Sequence, residues 1–332
     1  MPTIRDIATK AGVAVSTASL ALNGDGRVRP TTRERVLEAA RALEYHPMRA
    51  ARVLSTGRTY AFHILNPTVD AALSTGFFTR FVRGVHDLAK EHRYSVALSI
   101  LDDEVEAGVV LERLVLERWA DGVILMNPSE NEALLAKLSK RRFPHVVLGR
   151  GAREDVPSVD NDNVQVACDA AAHLLERHGG PVLLLNGPKH HTFTRDRECG
   201  FSKAHAATGA PVDDRLIRFI PGTAERAGRE VARLLREGPR FRSILAVNDA
   251  QAVGAMHALA SEGLRIPDDV AVVGMNNDDI AAYTSPRLTS VELSAQELGR
   301  QAATLLLNCL ETGRIVAERR LVPHRLVLRE SS

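Results

Sequence analysis

The sequence contains few groupings of the side chains that usually perform catalysis. Two adjacent carboxylate pairs, Asp102-Asp103 and Asp278-Asp279, could carry acid–base chemistry, and His190-His191 could supply two ligands to a metal ion. No third metal ligand is evident, so we interpret the histidines as surface residues and the acidic pairs as helix starts or solvated turns. The sequence has no glycine-rich phosphate-binding motif, no G-x-S-x-G elbow and no H-E-x-x-H zinc motif. It therefore predicts a protein that is not an enzyme and that needs no metal or cofactor.

The composition favours a cytoplasmic protein with more than one domain. A chain of 332 residues exceeds the usual size of one small domain, and 45% hydrophobic residues with only 4% aromatics predict aliphatic cores. The three cysteines, Cys168, Cys199 and Cys309, match neither a metal-site spacing nor a disulfide framework, which fits a reducing compartment. The first residues form no apolar signal segment, and no apolar run reaches the roughly 18 residues of a membrane span. We expect a chain that is neither secreted nor inserted in a membrane.

The net charge of +2 hides an asymmetry along the chain. Residues 1–58 contain ten lysines and arginines against five acidic residues, whereas the rest of the chain has a small excess of acids. A basic head on a slightly acidic body indicates that the head binds a polyanion. Charge alone leaves open the alternative of a solvated charged surface.

The stretch GVAVSTASLALN, residues 12–23, predicts a helix that approaches a large partner closely, because its side chains are unusually small. Thr3 can cap a first helix near Ile4, and Gly12 is typical of the end of that helix. A second helix is predicted from Val15 or Ser16 to Asn23-Gly24. Two short helices joined by a glycine-containing turn form a helix-turn-helix arrangement. In it, Val13, Ala18 and Leu22 face the core, and the outward residues are Val15, Ser16, Thr17 and Leu20.

A third helix completes this head, residues 1–46. Thr31 and Glu34 have the spacing of a capping box, and the helix is predicted to end at Tyr45-His46-Pro47, because Pro47 disfavours helical geometry before it. Three short helices with a basic exterior are typical of a DNA-reading module. A generic helical cap on the body is the alternative.

The body, residues 60–332, alternates strand-like and helix-like runs, which predicts an α/β fold with parallel sheets and helices on both faces. The strand-like runs are 62–65, 95–100, 122–126, 145–149, 182–185, 216–220, 243–247, 270–274 and 289–293. The helix-like runs are 77–92, 104–117, 131–140, 164–177, a run from about 196, 226–236, 249–262 and 296–310. We expect two lobes, one of about 60–160 with 293–332 and one of about 161–292. Ligands of such sheets bind at the carboxyl ends of the strands, hence in the cleft between the lobes.

The head resembles the N-terminus of the lactose-repressor (LacI/GalR) family of bacterial transcription regulators. The resemblance is continuous over about the first 60 residues and includes Thr3, Gly12-Val13, Thr17, Ser19, Leu22-Asn23, Thr32-Arg33, Tyr45 and Pro47. It implies that Val15, Ser16 and Leu20 read DNA bases in the major groove. It also implies contacts to phosphates and the DNA backbone for Thr17, Ser19, Asn23 and Tyr45, and Thr3 belongs to the same DNA-binding set.

Two residues depart from the family pattern in the second helix. Ala14 replaces the usual serine, so the capping hydroxyl is missing, and Leu20 replaces the more usual arginine or histidine. Leucine cannot hydrogen-bond a base edge and can only contact a thymine methyl group or exclude other bases. We therefore expect an operator with an altered preference at the bases that face Leu20.

Residues 47–59 correspond to the hinge helix that, in this family, forms on DNA between two protomers. The resemblance implies that Leu54 wedges into the minor groove, which kinks the duplex, and Arg49 and Arg52 could approach phosphates. Met48 replaces a common asparagine, so the cap of this helix is absent. An ordinary flexible linker is the alternative for this segment.

The body resembles the same family and, in its fold, periplasmic sugar-binding proteins, through segments such as WADGVIL (119–125) and IPDDVAVVGMNN (266–277). The resemblance implies a cleft site made of Phe77, Phe78, His191, Phe193, Arg197, Asn248, Asp249 and Asn276. An arginine fork suits hydroxyls or a carboxylate. An ion pair is the alternative for Arg197, and a core position is the alternative for both phenylalanines.

The resemblance predicts a small-molecule effector without naming it. Asn276 stands where an acid is usual, and the segment 221–228 lacks the aromatic residue that often stacks on the ligand. A sugar or sugar derivative is favoured, and a planar ring is disfavoured without that aromatic residue. Competing hypotheses are an enzyme or a solute-binding body fused to a DNA-binding head. Because one head reads only a half-site, we expect a homodimer on a double-stranded, near-palindromic operator, and no coiled-coil tetramer.

Overall fold

A computed structural model describes residues 2–22, 24–45, 53, 57–66, 76–100, 104–126, 133–150 and 155–332. The chain divides into two compact units, Met1–Thr59 and Tyr60–Ser332. Several residues singled out in the sequence lie outside the described residues: Asn23, Arg49, Arg52, Leu54 and Asp102-Asp103.

The first unit is built on three helices, α1 (Ile4–Ala11), α2 (Val15–Leu22) and α3 (Pro30–Ala42). Gly12 adopts the left-handed conformation (φ 62°) that the turn between α1 and α2 requires, and the N–H of Val13 donates to the carbonyl of Ala8 at 3.0 Å. The buried core between the helices is small and mostly alanine: Ile7, Ala8, Ala11, Ala18, Ala21, Val28, Val36, Ala39 and Ala40. Alanine side chains let the helices pack closely but bury little apolar area.

Helix α3 begins and ends earlier than predicted. No capping box forms at Thr31, because Pro30 occupies the first helical position and Arg29 precedes the helix without a side-chain cap. Proline is favoured there, since its φ angle is already helical and its missing N–H needs no partner. The helix ends at Ala42, where Glu44 (φ 48°) turns the chain and the N–H of Tyr45 donates to the carbonyl of Ala40 at 2.9 Å.

The second unit is an α/β structure with two six-stranded sheets, as predicted. The first sheet has the order β11-β5-β4-β3-β1-β2 and the second the order β12-β10-β9-β8-β6-β7. The strands are β1 (Ala61–Asn66), β2 (Ser95–Ile100), β3 (Gly122–Met126), β4 (His145–Leu148), β5 (Ser158–Asp160), β6 (Val182–Asn186), β7 (Ile217–Phe219), β8 (Ser243–Ala246), β9 (Ala271–Met275), β10 (Thr289–Glu292), β11 (Arg319–Leu321) and β12 (Arg325–Val327). Within the described pairings, neighbours run parallel except that β12 is antiparallel to β10.

Helices cover both faces of both sheets, and aliphatic cores separate them from the strands. They are α4 (Gly76–Glu91), α5 (Glu104–Leu116), α6 (Ala133–Lys140), α7 (Asn163–His178), α8 (Thr192–Thr208), α9 (Ala224–Glu237), α10 (Asp249–Ser261) and α11 (Ala295–Thr312). Helix α8 starts four residues before the predicted 196. Its first turn, Thr192-Phe193-Thr194, consists of residues with modest helix propensity, which concealed the start in the sequence.

The chain crosses between the lobes three times, after β5, after β10 and after β11. The sequence predicted residues 293–332 in the first lobe, and this is wrong for the last segment, because β12 (Arg325–Val327) joins the second sheet beside β10. Strand β12 supplies hydrogen-bond partners to an edge that β10 would otherwise expose. The three-residue strands β5, β11 and β12 were not predicted, since three residues are too few to show an alternating pattern.

Helices α4 and α11 cross at their backbones in the first lobe. A Cβ atom on Gly84 would lie 1.9 Å from the carbonyl oxygen of Gln296, and one on Gly299 would lie 2.1 Å from that of Phe81. Each helix therefore needs glycine where the other passes. Among the residues described, no helix is long and apolar enough to cross a membrane.

We predict that Gly84→Ala lowers the thermal unfolding midpoint, because the added methyl group must push the two helices apart at a cost of about 1–3 kcal/mol. Gly108→Ala is the matched control in α5, where the nearest atom to an added Cβ is Lys137 Nζ at 3.8 Å. The free energy of unfolding of this control should increase by up to about 1 kcal/mol, because alanine has a higher helix propensity than glycine. Equal midpoints for the two variants in a thermal melt would contradict the close crossing.

Candidate functional site

Helix α2 presents the surface that the sequence assigned to base reading. Val15 (43% exposed) and Ser16 are exposed, whereas Thr17 and Ser19 are half-buried. Leu20 was predicted to face outward, and this is only partly right, because its half-buried side chain packs against the core of the head. The alanines of α2 bury little apolar surface, so the side chain of Leu20 increases the apolar area that is buried in the core of the head.

Two further residues of the DNA-binding set have structural roles within the head. The backbone N–H and the hydroxyl of Thr3 both donate to the carboxylate of Asp6, at 2.7 and 2.9 Å, and these bonds lower the pKa of Asp6. The hydroxyl of Thr3 is therefore committed to the N-terminus of α1. Tyr45 is half-buried against the head core just after α3.

The connection from α2 to α3 is fixed by hydrogen bonds from two arginines, Arg27 and Arg33. Arg27 makes a two-pronged bond to Asp25, with Nε–Oδ1 at 3.0 Å and Nη2–Oδ2 at 2.7 Å, and this holds the pKa of Asp25 at about 2. Arg33 of α3 donates to the carbonyl oxygen of Asp25 at 2.5 Å. These contacts set where α2 ends relative to α3, so not every basic side chain of the head is available to a polyanion.

A cavity of about 240 Å³ lies between the two lobes of the second unit. Its polar lining consists of Asp160, Asn161, Asn163, His190, His191, Arg197, Asn248 and Asn276. Its other lining residues are Phe77, Leu148, Gly149, Gly187, Pro188, Phe193, Pro221, Gly222, Val247, Leu293 and Leu298. Many of these residues end or directly follow a strand, which is where parallel sheets bind ligands. The size suits a small metabolite, just below the usual range of about 300–1,000 Å³ for ligand sites.

The structure brings six of the eight predicted cleft residues to this cavity: Phe77, His191, Phe193, Arg197, Asn248 and Asn276. Phe78 does not line it and is buried in the core of the first lobe. Asp249 does not line it either, because its carboxylate points into the second lobe and accepts from Ser290 Oγ and from the N–H of Asp278, both at 2.6 Å. Both placements correct the expectation from the sequence.

Arg197 is buried in the cavity wall and bonds to neutral groups rather than forming the ion pair considered as its alternative. Its Nε donates to Asn163 Oδ1 and its Nη1 to the carbonyl oxygen of Val247, both at 3.0 Å. Its Nη2 makes no hydrogen bond to any residue that the structure describes. Burial lowers the pKa of Arg197 to about 10, so the guanidinium stays charged at neutral pH. One donor nitrogen of a buried cation is thus available to a ligand.

Phe193 lies between protein groups that already use its ring. The guanidinium carbon of Arg197 lies 4.9 Å from the ring centroid, and the ring of His191 stacks on it at 5.0 Å with an interplanar angle of 13°. Burial and the neighbouring His190 lower the pKa of His191 to about 4, so its ring is neutral at physiological pH and can both donate and accept. Phe193 therefore orients Arg197 and His191 more than it offers a free face to a ligand.

The crossing after β5 supplies cavity residues that the sequence analysis missed. Asn161 Nδ2 donates to the carbonyl oxygens of Leu293 (3.1 Å) and Val322 (2.8 Å), so one amide ties all three crossings together. Asn163 Nδ2 donates to Asp160 Oδ1 at 2.9 Å and thereby links this crossing to Arg197. Burial raises the pKa of Asp160 to about 6, against hydrogen bonding from Asn161. The polar run DNDN directly after a buried strand was the signal that could have revealed them.

Asn248 and Asn276, the two asparagines of the predicted cleft set, play different parts in the cavity wall. The side chain of Asn248 is satisfied within the protein, because Oδ1 caps α10 at the N–H of Gln251 (2.7 Å) and Nδ2 donates to the carbonyl of Gly222 (3.0 Å). Asn276 adopts a positive φ of 100°, and its side-chain amide bonds to no residue within the described ranges. Asn276 is therefore the asparagine with donor and acceptor atoms left for a ligand. No cluster of three metal-ligating side chains occurs among the described residues.

Sequence comparisons identify relatives over the full length. Residues 3–48 match the family described as bacterial regulatory proteins, lacI family, and residues 171–332 match a periplasmic binding protein-like domain. The chain is 32% identical to the ribose operon repressor of Halalkalibacterium halodurans over 336 residues, which cover 100% of this chain and 97% of the relative. The chain belongs to the LacI family.

Other relatives agree with this LacI-family assignment. Catabolite control protein A of Priestia megaterium is 28% identical over 99% of both chains. A solved structure described as a transcriptional regulator CelR–cellobiose complex is 28% identical, with a TM-score of 0.78 and full coverage of both chains. The lac repressor dimer bound to operator and the anti-inducer ONPF is 24% identical over 99% of this chain and 98% of that one, and its TM-score of 0.88 shows the shared fold. This LacI-family protein is a DNA-binding transcriptional regulator, and its relatives are regulators rather than enzymes.

We predict that Asp249 makes stability fall as the pH rises. Burial raises the pKa of Asp249 from 3.8 to about 7, so the folded state holds a proton that the unfolded state has lost between these values. The free energy of unfolding therefore decreases from about pH 4 to pH 7. Asp249→Asn should lose less thermal stability than wild type between pH 5 and pH 8, because it cannot ionise and Ser290 can turn its hydroxyl to accept from the new amide.

Asp213→Asn is the matched control for this measurement. Hydrogen bonding to Arg215 lowers the pKa of Asp213, so both folded and unfolded states are ionised above pH 5 and this variant should keep the wild-type slope. Parallel stability curves for wild type and Asp249→Asn would contradict the assignment of a buried proton to Asp249.

Proposed function

We propose that this LacI-family regulator is a cytoplasmic repressor that binds a near-palindromic operator as a homodimer and responds to a sugar or sugar derivative held between its lobes. The observation that carries the effector part is the buried, charged Arg197, whose Nη2 remains available in a cavity whose lining also contains neutral asparagine and histidine side chains. The DNA part is supported by the match of residues 3–48 and by the exposed face of α2.

On the operator, α2 lies in the major groove. Val15, Ser16 and Leu20 meet base edges, and Thr17 and Ser19 approach phosphates, together with Asn23 and Tyr45. Because α2 carries no charged side chain and four of its eight residues are alanine or serine, its backbone can approach the bases closely. Arg49, Arg52 and Leu54 of the hinge add phosphate and minor-groove contacts.

The homodimer is supported by exposed apolar side chains on both lobes. In the first lobe these are Leu98, Val109, Leu116 and Trp119. In the second lobe they are Ile280, Tyr283 and Leu328, of which Tyr283 is 83% exposed. We propose that the partner protomer covers these side chains. A body that dimerises through both lobes holds two heads at the spacing of two half-sites.

A hydroxylated ligand fits the chemistry of the cavity. Arg197 Nη2 and Asn276 Nδ2 donate, while Asn276 Oδ1 accepts and the neutral ring of His191 can do either. Sugar hydroxyls need this mixture of donors and acceptors. A planar ring is less favoured, because Arg197 and His191 already use the ring of Phe193. Relatives named as a ribose operon repressor and as a CelR–cellobiose complex also point to sugars.

Control of DNA binding follows from lobe closure. The effector contacts both lobes, so it favours the lobe arrangement in which those contacts form. The effector can shift DNA affinity only by binding the DNA-competent and DNA-incompetent arrangements with different affinity, and DNA shifts effector affinity reciprocally.

We predict that a thermal-shift screen of sugars, sugar phosphates and purines finds a stabilising sugar and that Arg197→Ala abolishes this stabilisation. At a concentration of about 100 times the Kd, binding contributes about 2.7 kcal/mol. Arg195→Ala, an exposed arginine two residues away on α8, is the matched control and should retain the shift. Arg197→Lys keeps the buried charge in case the alanine variant is unstable. A sugar that stabilises both Arg197 variants as strongly as wild type would refute the proposed site.

We predict that Leu20→Arg changes the operator selected from a library of randomised inverted repeats. The new guanidinium can bind a guanine in the major groove with about 1–3 kcal/mol of discrimination, so the preference should change at the bases that face position 20 and at their symmetry mates. Leu20→Ala separates the loss of leucine from the gain of arginine. An unchanged selected sequence for Leu20→Arg contradicts base reading by this residue, and the absence of any salt-sensitive preference in the wild type would refute the DNA function itself.

A further inference from the structure

The N-terminus of α4 in the first lobe meets the loop after β9 in the second lobe. The carboxylate of Asp278 accepts hydrogen bonds from the backbone N–H groups of Gly76 and Phe77, the first two residues of α4. A Cβ atom on Gly76 would lie 2.6 Å from Asp278 Oδ1, so glycine is what allows this approach. The first N–H groups of a helix lack partners within the helix, and here a carboxylate from the opposite lobe supplies one.

Arg80, one turn further along α4, bonds to the same loop. Its Nη1 donates to the carbonyl oxygen of Asn277 at 2.9 Å. Its Nη2 donates to the carbonyl oxygen of Asn276 at 2.5 Å and to Asp278 Oδ1 at 2.9 Å. Glu292 Oε2 lies 4.0 Å from Nη1. All these partners belong to the second lobe, so one guanidinium from the first lobe holds three consecutive residues of the other.

The loop that Arg80 holds is itself rigidly supported. The N–H of Asp278 donates to Asp249 Oδ2 at 2.6 Å, and the N–H of Asn277 donates to Ser290 Oγ at 3.0 Å. The side chain of Asn277 bonds to Glu292 (2.9 Å) and to Arg329 (2.6 Å). Asn276 and Asn277 both have positive φ angles, a conformation that aims their two carbonyls at Arg80 and that asparagine tolerates better than most residues. Because of these hydrogen bonds, the loop moves together with the second lobe.

Neither Arg80 nor Asp278 lines the cavity, yet each is close in sequence to a residue that does. Phe77 precedes Arg80 by three residues on α4, and Asn276 precedes Asp278 by two. The contacts of Arg80 and Asp278 thus fix the distance between Phe77 on one lobe and Asn276 on the other.

We propose that Arg80 and Asp278 form a clamp that keeps the two lobes closed around the cavity, so that they act as positioning residues for effector binding without touching the effector. The consequence for effector affinity rests on the proposed function, whereas the closure itself does not. Loss of the clamp shifts the population from closed to open lobes and raises the concentration of effector needed to close them.

The test uses the full-length protein without effector or DNA, so its failure is distinct from failure of the proposed function. Arg80→Gln and Asp278→Asn are compared with Arg300→Gln, which removes an arginine from the α11–α4 pair with Glu91 inside the first lobe. Hydrogen–deuterium exchange is followed at the clamp and also at the cavity residues 161–163 and Gly187, which lie away from it. Small-angle X-ray scattering reports the radius of gyration.

We expect Arg80→Gln and Asp278→Asn to speed exchange at 161–163 and at Gly187 by about tenfold, because charge-assisted hydrogen bonds between the lobes are lost. The radius of gyration should increase, the double variant should add little to either single variant, and Arg300→Gln should resemble wild type. Arg80→Lys should restore part of the protection from exchange that Arg80→Gln loses. If Arg80→Gln does not fold, the single variants Arg80→Lys and Asp278→Asn provide the test. Faster exchange confined to 76–80 and 276–278, with an unchanged radius of gyration, would show only a local contact and overturn the proposal.

Discussion

A buried guanidinium needs hydrogen-bond partners for most of its donors, and the partners of Arg197 connect the cavity wall to a crossing between the lobes. The hydrogen-bond partners of Arg197 come from two segments. Val247 directly follows β8, and Asn163 begins α7 at the first crossing between the lobes. Asn163 is in turn bonded to Asp160. The neighbouring Asn161 joins the three crossing segments. A ligand that bonds to Nη2 of Arg197 is therefore linked through Asn163 to the first crossing, which contains Asn161. Short covalent and hydrogen-bonded steps thus connect the cavity wall to all three crossings.

The architecture was largely predictable, because long aliphatic strands alternate with helices of clear period. Strands such as Ser95–Ile100 and Gly122–Met126 were predicted at the residues where they occur. The failures have local causes. Thr31 and Glu34 have the spacing of a capping box, but the helix starts at Pro30, two residues before the start that a cap at Thr31 implies. The return of the chain to the second lobe at Arg325 depends on an edge of β10 that is formed far away in sequence, and no local pattern encodes it.

The cavity was predictable through the family resemblance and less so from the residues themselves. Resemblance placed Arg197 and Asn276 there, but it gave no way to distinguish Phe77 from Phe78, which lie side by side in the sequence and face different environments. Asp249 was misplaced for a similar reason: it follows Asn248 at the start of α10, where one side chain borders the cavity and the next turns into the core. Asp160, Asn161 and Asn163 were missed because a short polar run at a crossing resembles an ordinary loop.

The three crossings also bear on how the protein is made. The first sheet lacks its edge strand β11 (Arg319–Leu321) until residue 321 has been synthesised, and the second lacks β12 (Arg325–Val327) until residue 327 has been synthesised. Neither lobe is a contiguous stretch of sequence, so a nascent chain emerging from the ribosome cannot complete one lobe before it begins the other. The head, by contrast, is local in sequence and closes its core as soon as α3 has emerged. Long-range pairings of this kind slow folding. The DNA-reading unit is therefore formed well before the unit that regulates it.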